Sequence, residues 1–305
     1  MTNQTKGIIF ACIAAVISGI SIFVNKFAVG AIQPPLVFTA TKNSLVGLVI
    51  ISFILMVGKW QNLKTINRKQ VAQLILVGLI GGALPFYLFF TGLSQTSAIN
   101  GALIQKTLVL WVAILAIPLL KERLKTIQIA AVLLLFGANV FVGGFAGFTY
   151  SLGELMILAA TILWAIEHVI AKKALANLDP DLLVAARMGL GSGILLLAAS
   201  IAYPQSLTHI TQLSSTQWLW LLATVGLLLG YTMTWYRGIK YVQVTTVAAI
   251  LVSATLITNV LSAIFITHLW NWQMGLQAII MICALFLVVK TVLKIKPDQI
   301  INTTP

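Results

Sequence analysis

The sequence predicts an all-α membrane protein of ten transmembrane helices, arranged as two inverted five-helix repeats. Three observations carry this. Only 8% of the 305 residues are charged and 60% are hydrophobic, against roughly 25% and 45–50% in soluble domains, and one water-soluble core cannot hide that much apolar surface. Apolar runs long enough to cross hydrocarbon, about 20 residues each, recur along the whole chain. The two halves also align without gaps at an offset of 146 residues.

The first five runs are 7–26, 34–57, 70–92, 97–119 and 125–144, and the second five are 151–172, 181–203, 216–237, 244–266 and 272–293. The first follows Lys6. It outlasts the about 7–15 apolar residues of a signal peptide and lacks a small-residue cleavage site, so it reads as a span. The connections are short and leave no room for a soluble domain.

Lysine and arginine set the orientation, because loops rich in them stay on the cytoplasmic side. With the amino terminus inside, that side holds Lys6, then Lys59, Lys64, Arg68 and Lys69, then Lys121, Arg123 and Lys125. Lys172, Lys173, Arg237, Lys240, Lys290, Lys294 and Lys296 complete it. The loops near 93–96, 145–150, 204–215 and 267–271 carry none, and only Lys26 lies near an outer end. The expectation is a protein of the cell (inner) membrane with both termini cytoplasmic. A formal charge of +13 is this orientation signal and forms no basic face with interleaved aromatics, so no nucleic-acid partner is expected.

At the 146-residue offset Pro34 meets Pro180, Gly47 meets Gly193 and Gly92 meets Gly238. Lys26 meets Lys172, Ala102 meets Ala248 and Ala138 meets Ala284. Each match is weak alone; their common register is the signal. Five spans per copy is odd, so the second copy crosses the membrane in the opposite sense. The charges agree: "GKWQNLKTINRK" (58–69) is basic, while its counterpart "PQSLTHITQLSS" (204–215) carries no lysine or arginine. The expected division is a first repeat at 1–144, an outer linker at 145–150, a second repeat at 151–293 and a cytoplasmic tail at 294–305. Inverted repeats of this kind are typical of secondary transporters, whose sites lie near mid-membrane between the repeats.

Ten spans as five plus five, with "LLKERL" (119–124) ending the fourth, resemble the EamA branch of the drug/metabolite transporter superfamily over about 7–292. The resemblance implies a central cavity lined by spans one to four and six to nine, and an exporter of small metabolites. Two features depart from it: His268 stands where the second copy would carry the glutamate matching Glu122, and Gln105-Lys106 occupies the middle of span four.

Helical spacing gathers the polar residues into faces. Ser18, Ser21 and Asn25 share one on span one, and Thr255, Asn259 and Ser262 share one on span nine. Thr161, Trp164, Glu167 and His168 form a stripe on span six, and Tyr231, Thr234 and Trp235 one on span eight. Each faces a watery cavity or a neighbouring helix it merely hydrogen-bonds. Lys42, Lys106 and Arg187 are the cations well inside spans, and Glu167 is the acid clearly within one. A lysine at the bilayer centre costs about 2.5–3.5 kcal/mol on insertion scales, which makes Lys106 the most informative residue. It binds an anionic group of the substrate, helped by Lys42 or Arg187; or it pairs with Glu167; or burial keeps it neutral. Lys42 and Arg187 have a blander reading, snorkelling to the interface. Glu122 is expected to pair with Arg123 or Lys125, and Glu167 or His168 is a candidate proton carrier.

The expected substrate-binding set is therefore Lys106, Lys42, Arg187, Glu167, His168, Trp164, Asn25, Tyr231, Trp235 and Asn259. No catalytic or metal site is expected: there are no intramembrane aspartate pair and no H-E-x-x-H motif, and Cys12 and Cys283 offer no ligand spacing. No cofactor and no nucleotide loop are expected either. The predicted activity is secondary transport of small polar metabolites by alternating access, as an exporter or exchanger of amino acids, organic acids or related compounds, with a proton as a coupling candidate. The alternatives are a lipid or polyprenyl-phosphate flippase and an exporter of cationic drugs. The partners are a small-molecule substrate and the lipid bilayer, with a homodimer left open.

Overall fold

The computed structural model describes residues 1–93, 95–96, 98–142, 148, 150–270 and 272–293. The 145–150 linker, apart from Phe148 and Tyr150, and the 294–305 tail lie outside the described residues. These residues form helices and no strands. In chain order the helices are α1 (Asn3–Ala31), α2 (Pro35–Met56), α3 (Arg68–Leu93), α4 (Ala98–Lys106 continued by Leu108–Leu120) and α5 (Thr126–Val142). The second half gives α6 (Leu152–Ala174), α7 (Pro180–Ala202), α8 (Ser215–Tyr241), α9 (Val244–Thr267) and α10 (Trp272–Leu293). Nine are long and apolar enough to cross a membrane; α5, the tenth predicted span, has 17 described residues, roughly 25 Å of helix.

Local chemistry starts these helices where the sequence changes character. Pro35 and Pro180 occupy the first turns of α2 and α7, where a missing N–H costs nothing. Asn67 with Gln70 opens α3, and Ser214 with Gln217 opens α8, each as a reciprocal capping box. The two boxes stand one residue out of the 146-residue register, so the repeat is visible even in its caps.

Packing shows the two-repeat architecture directly. α1 lies against α8 as α6 lies against α3, and α1 meets α9 as α6 meets α4. α2 packs on α7, α4 on α9 and α5 on α10, each helix against its own counterpart. With no hydrophobic drive between helices in lipid, close approach relies on small residues. A Cβ on Gly92 would stand 2.5 Å from the Gly153 carbonyl, and one on Gly82 would overlap the Arg187 carbonyl. The latter contact joins two π-helical turns, Gly78–Ala83 in α3 and Ala186–Leu190 in α7.

The structure adds something the apolar runs conceal. α4 and α9 are broken at matching points, Thr107 and Ser253. The Thr107 N–H and hydroxyl both donate to the Ile104 carbonyl, at 3.0 and 2.6 Å. The Ser253 N–H and hydroxyl donate to the Ile250 carbonyl at 3.0 and 2.7 Å. Hydroxyls that bond back into their own helix bend it, and these two satisfy the local backbone where no water is at hand.

Gly82→Ala is expected to lower stability by about 1–3 kcal/mol through overpacking, measured as thermal unfolding in detergent. Gly226→Ala, where an added Cβ meets nothing within 4 Å, is expected to be neutral or to stabilise by about 0.5–1 kcal/mol.

Candidate functional site

Five of the residues expected to bind substrate converge where α6, α7 and α8 meet. Glu167, with no exposure, accepts a 2.6 Å hydrogen bond from the Tyr236 hydroxyl at Oε1. Its Oε2 lies 3.4 Å from Arg187 Nη1 and 3.5 Å from His168 Nε2. Arg187 Nη1 also lies 3.4 Å from the Tyr236 oxygen. The His168 ring packs 4.7 Å from the Trp235 ring, and Tyr231 stacks on Trp235 at 6.0 Å. Gly81 makes room for the carboxylate, since a Cβ there would stand 2.5 Å from Glu167 Cγ. Trp164, one turn earlier on α6, donates to the Gly81 carbonyl at 3.2 Å and packs against Phe86 and Phe89.

This cluster corrects two expectations. Glu167 pairs with Arg187, and the Lys106–Glu167 pair does not form. Depth explains it: Lys106 ends the first segment of α4, eight residues in from the start at Ala98, whereas Glu167 is seven residues from the opposite end of α6 at Ala174. Arg187 does not snorkel either, because its side chain, only 6% exposed, turns inward to the carboxylate. Tyr236 was missed because an interior tyrosine on a long apolar helix looks like packing. A buried carboxylate needing a donor was the available signal.

The other candidates stand apart from the cluster. Lys42 is 7% exposed; its Nζ donates to Asn25 Oδ1 at 3.1 Å and sits 4.8 Å from the Phe38 ring centre. Asn25 in turn donates to Ser21, so part of the α1 stripe is spent on holding this amine. Asn259 donates to Gln277 of α10 at 2.8 Å, and Gln277 donates to the Ala138 carbonyl of α5 at 3.3 Å. Asn259 therefore belongs to a tie between α9, α10 and α5. Lys106 is half-buried at the break in α4, and its amine has no hydrogen bond or ion pair with a described residue.

A further set of charges lies at the face that carries the basic loops. Asp181, at the start of α7, receives Lys59, from the turn after α2, and Arg237 Nη2 of α8 at 2.7 Å. Asp179 lies 3.1 Å from the same lysine. Burial pushes the Asp179 carboxyl up, but the Asp181 N–H, Lys59 and Lys240 outweigh it and hold it below the usual carboxylate range. Burial pulls the Lys59 ammonium down, and Asp181 and Asp179 outweigh it, so it sits above the usual lysine value. At this face Glu122 also departs from expectation. It accepts from the Val244 N–H at 2.7 Å, the Thr245 N–H at 3.3 Å and the Thr245 hydroxyl at 2.6 Å. It thus caps α9 from the far end of α4, an anion at a helix N-terminus, and pairs with neither Arg123 nor Lys125. Burial pushes its carboxyl above the usual range, against the pull of Thr245, Val244 and Lys172. Glu154 is a second acid that the span reading passed over: it is 3% exposed and accepts from Asn100 at 2.6 Å.

Apolar helices in this number, in two matched sets around buried charges, define a multi-pass membrane protein built to hold polar groups inside the bilayer. The sequence profile of the EamA-like transporter family matches residues 5–144 and 151–290. The chain belongs to that family, within the drug/metabolite transporter superfamily, and is a multi-pass membrane protein. It is 28% identical over 180 residues, 57% of its length, to the uncharacterized transporter YyaM of Bacillus subtilis (strain 168). It is 22% identical over 229 residues, 73% of its length, to an uncharacterized transporter of Methanothermobacter thermautotrophicus. The chain spans 58% and 65% of the lengths of these two relatives. A solved crystal structure shares the fold with a TM-score of 0.79 at 16% identity, covering 96% of this chain and all of that one.

Asp181→Asn removes the shared anion beneath two cations and is expected to cost about 1–3 kcal/mol, read as a lower unfolding midpoint. The stabilisation from Asp179 is present above the ordinary carboxylate pKa and is lost as pH falls through its lowered value. That from Lys59 is present below the ordinary lysine pKa and is lost as pH rises through its raised value. The difference between parent and Asp179→Asn is therefore expected to stay flat across neutral pH and to shrink at both extremes.

Proposed function

We propose that the protein is a secondary transporter that carries a small polar metabolite bearing an anionic group, by alternating access between two inverted repeats. One observation carries the reading: Lys106 brings an amine without a partner among the described residues to a break in α4 that recurs at Ser253 in α9. Broken helices whose two copies match are where transporters of inverted-repeat type hold substrate, and an intramembrane amine is retained at its cost for a purpose. Lys106 is the first contact for a carboxylate or phosphate. Lys42, steadied by Asn25 and Phe38, is a second amine inside the helices, and the half-buried Tyr231, backed by the buried Trp235, is the aromatic group we assign to the rest of the molecule.

The basic loops on the side of both termini give that side as cytoplasmic in the cell membrane. The ion pairs of Asp181 then lie at the cytoplasmic end, linking the turn after α2 to α7 and α8. Export or exchange of amino acids, organic acids or related compounds is the activity that fits the family and the site. Glu167 and His168 supply the titratable group through which a proton would couple to the cycle.

The test is a thermal-shift screen of detergent-purified parent and Lys106→Met against amino acids, organic acids, nucleotides, sugar phosphates and cationic drugs. A ligand at 100 times its dissociation constant stabilises the state it binds by about 2.7 kcal/mol. An anionic compound is expected to shift the parent and not the variant. Equal responses from the two proteins would assign Lys106 a structural role and overturn the anion reading.

A further inference from the structure

We infer that Arg187 is a second anion site, blocked by Glu167 and opened when Glu167 takes up a proton, so that proton and anionic substrate bind together rather than in competition. This rests on the reading of the protein as an anion-binding carrier, and it fixes the sign of the coupling, which that reading leaves open.

Among the described residues, the charged and titratable groups that interact with Glu167 are Arg187 from α7, Tyr236 from α8 and His168 from its own helix. Tyr231 of α8 stands in the field of both Arg187 and Glu167. From α3 the carboxylate meets Gly81, which has no side chain to offer. Among the described residues the guanidinium is thus the permanent positive charge in contact with the carboxylate, with His168 the titratable neighbour.

Three polar side-chain atoms in this buried cluster have no hydrogen bond among the described residues: Arg187 Nε, His168 Nδ1 and Trp235 Nε1. A guanidinium presents five N–H donors in a fixed fork suited to bidentate contact with a carboxylate or phosphate. At Arg187 that fork meets Glu167 at one long contact of 3.4 Å through Nη1. The internal anion therefore occupies the site without using the fork fully. An incoming carboxylate or phosphate that took both edges would make the better pair.

Charge balance sets the order of events. With Glu167 ionised the pair is neutral, and a second anion would be repelled by the carboxylate. A proton arriving from water at Glu167 Oε2 turns the carboxylate into a carboxylic acid, which keeps the Tyr236 contact at Oε1. Arg187 then holds an uncompensated charge in a poorly hydrated interior, a state strongly disfavoured until an anion replaces the lost partner. Anion and proton thus each raise the affinity for the other, as linkage requires. For a monovalent substrate the loaded and empty sites carry the same net charge, so the driving force is the sum of the substrate and proton gradients.

The experiment uses acetate and dimethyl phosphate, monovalent anions that keep their charge in both buffers, as probes on the purified full-length protein, with Lys106 intact, in mildly acid and mildly alkaline buffer. In the parent, affinity measured by thermal shift is expected to strengthen by up to about tenfold per pH unit of acidification through the titration. Addition of a bound probe to weakly buffered protein is expected to take up protons, read with an indicator dye. Glu167→Gln is expected to bind with the parent's acid-side affinity at every pH and to take up none. The double variant Glu167→Gln, Arg187→Gln removes both charges together, which keeps it foldable, and is expected to lose the pH dependence and the proton uptake, keeping only the weaker, pH-independent response that Lys106 supports. Affinity that does not change with pH in the parent, proton release on binding, or a folded Glu167→Gln that binds nothing would overturn the coupling while leaving the anion-carrier reading in place. Failure of every anion, including those of the Lys106 screen, at both pH values would overturn both.

Discussion

A carboxylate with no solvent exposure in the half of the bilayer nearer the basic loops is the constraint around which the rest of this structure is arranged. Taking an isolated charge out of water costs several kcal/mol even after relaxation, so Glu167 has to be met by donors. Those donors come from two other helices. Arg187 must turn inward from α7 and Tyr236 must reach across from α8. The crossing of α3 must be stripped to Gly81 and Gly82 so that carboxylate and backbone can occupy the same space. The π-helical turns at Gly78–Ala83 and Ala186–Leu190 sit beside this junction. An extra residue in a turn there rotates the side chains that follow, which is a common use of such turns at functional positions.

The pseudo-symmetry of the fold makes its chemical asymmetry legible. Backbone features obey the repeat: the breaks at Thr107 and Ser253, the matched prolines Pro34 and Pro180 at the starts of α2 and α7, and the self-counterpart contacts of α2 with α7, α4 with α9 and α5 with α10. The charges do not obey it. At the 146-residue offset Lys106 corresponds to Val252, Glu167 to Ser21, Arg187 to Thr41 and His168 to Ile22. Asp181 corresponds to Pro35, Lys59 to Gln205 and Arg237 to Thr91. Duplication supplied a scaffold with two equivalent halves, and each buried charge marks a place where one half departs from the other.

How much of this the sequence discloses follows from the kind of interaction involved. The helices are legible because hydrocarbon demands long apolar runs whatever their neighbours, and the repeat because register survives where residues do not. The breaks in α4 and α9 are hidden, since Thr107 and Ser253 look like ordinary small polar residues until their hydroxyls are seen returning to Ile104 and Ile250. Partner choice is hidden for a different reason. Lys106 and Arg187 were equal claimants for Glu167 on charge alone, and only depth along α4, α6 and α7 separates them. Glu122 shows the same limit: its sequence neighbours Arg123 and Lys125 were the obvious partners, yet the N–H groups opening α9, some 120 residues on, need a carboxylate more than exposed cations do.

The two interior amines show why a charge count cannot stand in for a site. Lys42 and Lys106 both lie inside apolar helices, and composition treats them alike. Lys42 has its needs met by Asn25 and the Phe38 ring, so an anion reaching it gains only what remains after displacing those contacts. Lys106 sits where the helix itself gives way, with Thr107 and Trp111 occupied with each other at 3.1 Å and no fixed contact on the amine. A charge already satisfied stabilises a fold; a charge left unsatisfied at a break gives an incoming group something to gain. By that criterion Lys106, rather than Lys42, is the amine we propose as the entry contact. Arg187, held by a carboxylate through a single long contact, stands between the two cases, satisfied enough to fold and loosely enough to be exchanged.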